Sequence, residues 1–162
     1  MLDARILKLL LVEDSLEDER LLSEALLEIE ERWLWRPWHS AGIVPVDSLT
    51  DALDCLRHGL KEDDAFDAIL LNLSLPDSPT LLDCFFEVSA LAGGTPIIVL
   101  ADESDESLAA CLLREGAQDV LVKSEIECVP LSRAIRYAIE RERRAPSVRP
   151  EPSSEKTAIL AD

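Results

Sequence analysis

Two adjacent acids, Glu13 and Asp14, directly follow an apolar run of strand length. Asn72 stands near the end of a second such run, and Lys123 directly follows a third. Adjacent carboxylates suit Mg²⁺, which prefers oxygen ligands, and a lysine offers a point charge to a phosphoryl oxygen. Because ligands of open α/β sheets bind beyond the carboxyl ends of the strands, these four residues indicate one polar site. The alternative is that each acid only caps the helix that follows it.

The elements that must position this site alternate regularly along the chain. The predicted strands are 6–12, 42–46, 67–73, 97–100 and 120–122. The predicted helices begin after Ser15 and after Ser48, and then cover 80–91, 102–114 and 127–143. Each serine is followed three residues later by an acid, which resembles a capping box at a helix start. Five alternations predict an α/β fold, a doubly wound parallel sheet with helices on both faces.

Length and composition indicate a single globular domain. The chain has 162 residues, of which 48% are hydrophobic and 30% charged, enough for one packed core. We predict that this domain covers 1–143. In 144–162, Pro, Ser and charged residues replace the apolar periodicity, which predicts a disordered tail or a linker.

Charge and hydropathy exclude several classes of partner. The formal net charge of −17 argues against direct nucleic-acid binding, because a polyanion would be repelled. No apolar run approaches the roughly 20 residues that a membrane helix needs, so we expect no membrane partner. The N-terminus has no signal-peptide pattern, and a cytoplasmic protein is therefore expected. Glu-Asp replaces the glycine-rich loop that dinucleotide binding requires after the first strand.

Four segments together resemble the receiver domain of bacterial two-component response regulators. They are Leu-Leu-Val-Glu-Asp-Ser (10–15), Ile-Leu-Leu-Asn-Leu-Ser-Leu-Pro-Asp-Ser (69–78), Pro-Ile-Ile-Val-Leu-Ala (96–101) and Gly-Ala-Gln-Asp-Val-Leu-Val-Lys (116–123). The resemblance spans about 6–143 and implies a flavodoxin-like sheet of strand order 2-1-3-4-5. In that family, an Asp on the third strand accepts a phosphoryl group from a histidine kinase. Two acids hold Mg²⁺, a Ser or Thr and a Lys contact the phosphoryl group, and an aromatic residue changes rotamer on activation.

This sequence departs from the family pattern at three of those positions. Asn72 stands at the phosphoacceptor position, Ala101 at the hydroxyl position and Val120 at the switch-aromatic position, whereas Glu13, Asp14 and Lys123 are kept. The resemblance therefore implies a degenerate pseudo-receiver without a resident cofactor, although a weak Mg²⁺ site stays open. We expect Lys123 to neutralise the acid pair directly, with Asn72 hydrogen-bonded among them, which would lock the pocket without a ligand.

Function would then depend on binding surfaces, and two candidates stand out. The first holds all three tryptophans, Trp33, Trp35 and Trp38, between the first helix and the second strand. They form either an aromatic docking patch, since Trp is enriched in interface hot spots, or a cover over the sheet edge. The second is the last helix, with Arg133 and Arg136. The resemblance suggests a homodimer through the fourth and fifth helices, with a solvated helix face as the alternative.

We therefore predict a protein–protein interaction module of bacterial signal transduction that works without phosphorylation and is not an enzyme. Its expected partners are signalling proteins, such as a kinase or another regulator. Two alternatives stay open. The chain would be the N-terminal input domain of a longer signalling protein, or a receiver still phosphorylated at a non-standard acid, for which Asp77 and Asp14 are the first candidates.

Overall fold

The computed structural model of the protein describes residues 3–144. The predicted tail or linker lies outside the described residues, except for Arg144, which ends the last helix. Five strands alternate with five α-helices, and a 3-10 turn, Lys123–Glu125, precedes the last helix. In chain order they are β1 (Asp3–Val12), α1 (Leu16–Glu31), β2 (Trp38–Val46), α2 (Leu49–Lys61), β3 (Ala68–Asn72), α3 (Leu81–Ala92), β4 (Ile97–Ala101), α4 (Glu106–Arg114), β5 (Asp119–Val122) and α5 (Cys128–Arg144).

All strand pairs are parallel, and the order in the sheet is β2-β1-β3-β4-β5. This confirms the predicted doubly wound sheet and the order 2-1-3-4-5. The register pairs Val12 with Leu71 and Asn72 with Leu100, so the ends of β1, β3 and β4 meet at one edge. The residues that follow these ends are therefore brought together by the sheet itself.

The alternation of side chains in the central strands divides the core into two layers. Leu9 and Leu11 of β1 face α1 and α5, whereas Leu10 and Val12 face α2 and α3. All five residues of β3 are buried, because helices cover both faces of the sheet. A strand buried on both faces leaves only its end for polar chemistry.

Side-chain caps fix the starts of the helices. Ser15 accepts a hydrogen bond from the backbone N–H of Asp18, and Ser48 accepts one from Asp51, as predicted for α1 and α2. The predicted start of α4 was wrong. Asp105 caps that helix, so the preceding residues 102–105 form a loop at the sheet edge.

The second strand also differs from the prediction, because β2 begins at Trp38 rather than at residue 42. Its first residues pair with β1, and Ile6 lies opposite Ser40. The sequence there mixes aromatic and polar residues instead of alternating, which hides a strand from pattern analysis. Within residues 3–144, none of the helices combines the length and the apolar composition needed to cross a bilayer.

Candidate functional site

Asn72 ends β3 and is only 2% exposed, so its amide needs partners inside the protein. The Nδ2 atom donates to Glu13 Oε2 at 3.0 Å and to Asp14 Oδ1 at 2.9 Å. The Oδ1 atom accepts from the backbone N–H of Ser74 at 3.2 Å. Because carboxylate oxygens require donors opposite them, the amide nitrogen and not the oxygen faces the two acids. Asn72 thus joins Glu13 and Asp14 by hydrogen bonds.

Glu13 is buried beside the end of β1, with both of its oxygens engaged. Oε2 accepts from the backbone N–H of Ser15 at 3.1 Å as well as from Asn72, and Oε1 lies 2.6 Å from Lys123 Nζ. Burial raises the pKa of Glu13 above its ordinary value, although the hydrogen bond from Lys123 opposes that rise. The lysine is therefore the group that makes an ionised Glu13 tolerable here.

Lys123 holds three carboxylates at once. Its Nζ atom lies 2.6 Å from Glu13, 3.1 Å from Asp18 Oδ2 and 3.0 Å from Asp102 Oδ1, one oxygen for each ammonium hydrogen. Burial tends to lower the pKa of Lys123, but hydrogen bonds to the three acids outweigh burial and leave that pKa raised. The expectation that Lys123 also neutralises Asp14 was wrong, because Asp18 and Asp102 take its remaining hydrogens.

The atoms around the acid pair do not fit Mg²⁺, which demands a near-octahedral set of oxygens. Asn72 presents its amide nitrogen to Glu13 and Asp14, and the Lys123 ammonium occupies the side of Glu13 Oε1. In the part of the chain that the structure describes, no group of three or more His, Cys, Asp or Glu side chains is arranged to hold a metal ion. We therefore assign no step to a metal.

Comparison with known proteins rests on solved structures, since no family model and no curated protein matches the sequence. A response regulator receiver domain protein from Clostridium thermocellum matches with TM-score 0.65 at 22% identity, over 85% of this chain and 98% of that chain. A CheY-like receiver domain protein from Methanospirillum hungatei JF-1 matches with TM-score 0.64 at 15% identity, over 86% and 98%. NtrX from Brucella abortus matches with TM-score 0.69 at 17% identity, over 89% of this chain and 30% of that chain.

The chain has the response regulator receiver fold. At these identities the likeness concerns the fold alone, and the roles of individual residues come from the geometry of this site. The receiver fold places Ala101 at the end of β4 and Val120 in the neighbouring β5. Together with Asn72, both line a cavity of about 420 Å³ between the sheet and α4. Asn72, Ala101 and Val120 therefore adjoin one space.

The three tryptophans do not form one exposed patch in this receiver fold. Trp35 and Trp38 are each 2% exposed and pack into the core layer that α1 and α5 cover, whereas Trp33 is 65% exposed. The predicted docking patch was therefore wrong for two of its three rings. The alternative, in which the rings cover the edge of the sheet, describes Trp35 and Trp38, since β2 is an edge strand.

The two arginines singled out on α5 differ in their surroundings. Arg133 is exposed. Arg136 is half-buried, and its Nη1 atom donates to the backbone carbonyl of Arg36 at 3.3 Å, in the connection between α1 and β2. Its guanidinium carbon also lies 5.7 Å from the centre of the Tyr137 ring. Arg136 thus serves a contact within the chain, and Arg133 remains the candidate for an external one.

Three acids near the site had roles that the sequence did not predict. Asp18 and Asp102 contact Lys123, whereas Asp77 caps α2 from the loop after β3. The Asp77 oxygens accept from the backbone N–H groups of Leu49 at 2.8 Å and Thr50 at 2.9 Å, and the Thr50 hydroxyl adds a third bond. Hydrogen bonds from Thr50 and Leu49 hold the pKa of Asp77 below its ordinary range. The position of Asp18 in the first turn of α1 was the available signal for its contact.

Proposed function

We propose that the chain is a receiver-like module that acts without phosphorylation, by binding other proteins of a signalling pathway. The observation that carries this proposal is the hydrogen bonding of Asn72. Its amide nitrogen donates to Glu13 and Asp14, so the end of β3 presents a donor where a phosphoacceptor would present an anionic oxygen. The polar groups of the pocket therefore have their hydrogen-bond and ion-pair partners among its own side chains.

The other contacts of the pocket support the same proposal. The Lys123 ammonium group contacts three carboxylates, and these contacts would have to break before it could contact a phosphoryl oxygen. Ala101 has no hydroxyl group to hydrogen-bond a phosphoryl oxygen, and Val120 has no ring to change rotamer. We therefore propose no enzymatic activity for this site, and no resident cofactor.

The proposed partners are proteins such as a kinase or another regulator, and nucleic acid is disfavoured by the net charge of −17. A homodimer through α4 and α5 is part of the proposal, because acids near the start of α4 would complement Arg133 on a second copy. Sedimentation of the wild type and of Arg133→Glu tests this point. A wild-type dimer that the variant dissociates supports the interface, whereas a monomeric wild type removes it. The proposed location is the cytoplasm, as expected from the sequence.

Two alternatives have specific support. The match to NtrX covers only 30% of that chain, which supports a place for this domain within a longer signalling protein. Phosphorylation at another acid would need a free carboxylate oxygen. Asp14 is exposed and is the better candidate, because Asn72 engages one of its oxygens, whereas both oxygens of Asp77 accept hydrogen bonds from the start of α2.

The test is the intact mass of the protein after incubation with Mg²⁺ and acetyl phosphate. The wild type, Asn72→Asp and Asn72→Ala are treated alike, the last as a control that removes the amide without adding an acid. We expect no phosphoryl adduct on the wild type or on Asn72→Ala. An adduct on Asn72→Asp would show that the amide alone prevents phosphorylation. If Asn72→Asp forms no adduct, Ala101 and its surroundings also contribute to the loss of phosphorylation. An adduct on the wild type would overturn the proposal, and Asp14→Asn would then identify the acceptor.

A further inference from the structure

The cavity between α4 and the sheet, which we call the α4 cavity, has a volume of about 420 Å³. Its walls are mainly apolar, and they include Val99, Ala101, Leu108, Ala109, Leu112 and Val120. Pockets for small organic molecules usually measure about 300 to 1,000 Å³ and combine apolar walls with a few polar groups. The α4 cavity therefore has the size and the lining of a small-molecule site.

The cavity exists because α4 is weakly anchored and its neighbours are small. The helix has nine residues and buries Leu112 alone completely, whereas α3 has twelve residues and buries four. The side chains of Ala101, Ala109 and Val120 are too short to fill the gap between helix and sheet. A cavity of this size admits water, so its apolar lining stays in contact with solvent. An apolar group of a ligand would displace that water.

The mouth of the α4 cavity is acidic. The loop before α4 and the first residue of the helix contribute five of its lining residues, of which four are acids, Asp102, Glu103, Asp105 and Glu106, and no Lys or Arg lines the cavity. Asp102 is paired with Lys123, and Asp105 caps α4 through the N–H of Leu108. Among the described residues, the side-chain carboxylates of Glu103 and Glu106 accept no hydrogen bond and form no ion pair. Two carboxylates at the mouth are therefore available to a ligand.

We propose that the α4 cavity binds a small organic cation with an apolar body, such as an aromatic or aliphatic primary amine. The apolar body would occupy the space beside Ala101, Ala109 and Val120. The ammonium group would lie at the mouth, near Glu103 and Glu106. This proposal does not depend on phosphorylation or on a signalling partner, although the amine would compete with a second copy of the chain for the acids near the start of α4.

The test compares three indole probes of nearly equal size: tryptamine, the neutral alcohol tryptophol and the anion indole-3-propionate. Titrations of ¹⁵N-labelled full-length protein, followed by amide chemical shifts, give both the affinity and the location. We expect tryptamine to shift the amides of Ala101, Leu108 and Val120. We also expect it to bind about five- to tenfold more tightly than indole-3-propionate, since contacts between exposed charges are weakened by solvent. Tryptophol should lie between them.

Matched variants assign the site. Ala109→Leu fills the cavity and should remove binding of all three probes, whereas Ala110→Leu, on the exposed side of the same helix, should leave it unchanged. The double variant Glu103→Gln/Glu106→Gln should equalise the affinities and keep tryptophol binding. Circular dichroism confirms folding, and Ala101→Leu replaces Ala109→Leu if that variant unfolds. Equal affinities in the wild type, binding that survives the filled cavity, shifts located elsewhere, or no binding at millimolar concentrations would each overturn the proposal.

Discussion

Asn72 lies between two regions at the same edge of the sheet, and the two are built in opposite ways. On one side, Glu13, Asn72 and Lys123, which we call the polar corner, satisfy one another within 2.6 to 3.0 Å. On the other side, the α4 cavity leaves about 420 Å³ that its own side chains do not fill. The polar groups of the polar corner bind one another, whereas the α4 cavity has room for an added ligand or side chain.

The difference follows from what each kind of group costs when it lacks a partner. A buried carboxylate without a counter-charge costs several kcal/mol, so Glu13 requires Lys123. A gap between apolar side chains costs only about 20 cal/mol for each Å² of its surface, which a marginally stable domain can tolerate. Charges therefore force the polar corner into one arrangement, and nothing comparable closes the α4 cavity. We therefore expect substitutions in the polar corner to lower the free energy of unfolding more than substitutions in the α4 cavity.

The largest effect should come from removing the central cation of the polar corner. Lys123→Met leaves Glu13 buried and unpaired, and we expect a loss of about 3 kcal/mol in the free energy of unfolding. Urea denaturation at neutral pH measures it. The loss should shrink as the pH falls through the raised folded-state pKa of Glu13, because a protonated Glu13 no longer needs a counter-charge.

The control for this variant is an exposed ion pair. Arg57 pairs with Asp54 at 3.3 Å, and both side chains are more than half exposed. Arg57→Met should change the stability by less than about 0.5 kcal/mol, because solvent screens such a pair. Similar losses in the free energy of unfolding for the two variants would contradict the view that burial, rather than pairing alone, makes the contacts of Lys123 important for stability.

The second effect should come from adding a charge to the polar corner. Asn72→Asp removes two donated hydrogen bonds and places a third carboxylate beside Glu13 and Asp14. We expect a loss of about 2 kcal/mol in the absence of divalent ions, the scale of hydrogen bonds to charged groups. Thermal unfolding with EDTA or with millimolar Mg²⁺ measures it, and Mg²⁺ should restore part of the loss. Asn72→Ala should also lose stability, but Mg²⁺ should not restore it.

A third prediction compares the α4 cavity with a filled part of the core. Ala109 lines the cavity, whereas Ala52 on α2 is 0% exposed and closely packed. Ala52→Leu should cost about 1 to 3 kcal/mol through overpacking, and Ala109→Leu should cost less than about 0.5 kcal/mol or stabilise the protein. Urea denaturation gives both values. Equal costs would mean that the space beneath α4 is not available to an added side chain.

The sequence was sufficient to predict the fold because the relevant signals are local. Apolar runs marked all five strands, and Ser15 and Ser48 marked two helix starts through caps that the structure contains. The order of the strands came from the resemblance rather than from periodicity. The juxtaposition of Glu13 and Asn72 then followed, since parallel strands end at one edge.

What the sequence did not predict depends on contacts between distant elements. Asp18 and Asp102 bind Lys123 across 105 and 21 positions of the chain. Apart from the place of Asp18 in the first turn of α1, no local pattern distinguishes these two acids from the many others. The burial of Trp35 and Trp38 likewise depends on how the segment before β2 folds back onto the core. The α4 cavity results from small side chains on three elements, and its volume cannot be obtained from any one of them.

A smaller effect than those of Lys123→Met and Asn72→Asp should come from Asp77, whose carboxylate is hydrogen-bonded but exposed, unlike that of Glu13. Its lowered pKa means that the stabilisation is present above the ordinary value of 3.8 and is lost as the pH falls through the folded-state pKa. Asp77→Ala should therefore cost about 0.5 kcal/mol at neutral pH, as for a weak helix cap, and the difference from the wild type should fade in acid. Urea midpoints at several pH values test this. Asp77→Asn should lose the pH dependence but retain part of the cap, and a cost as large as that of Lys123→Met would show that exposure does not separate the two carboxylates.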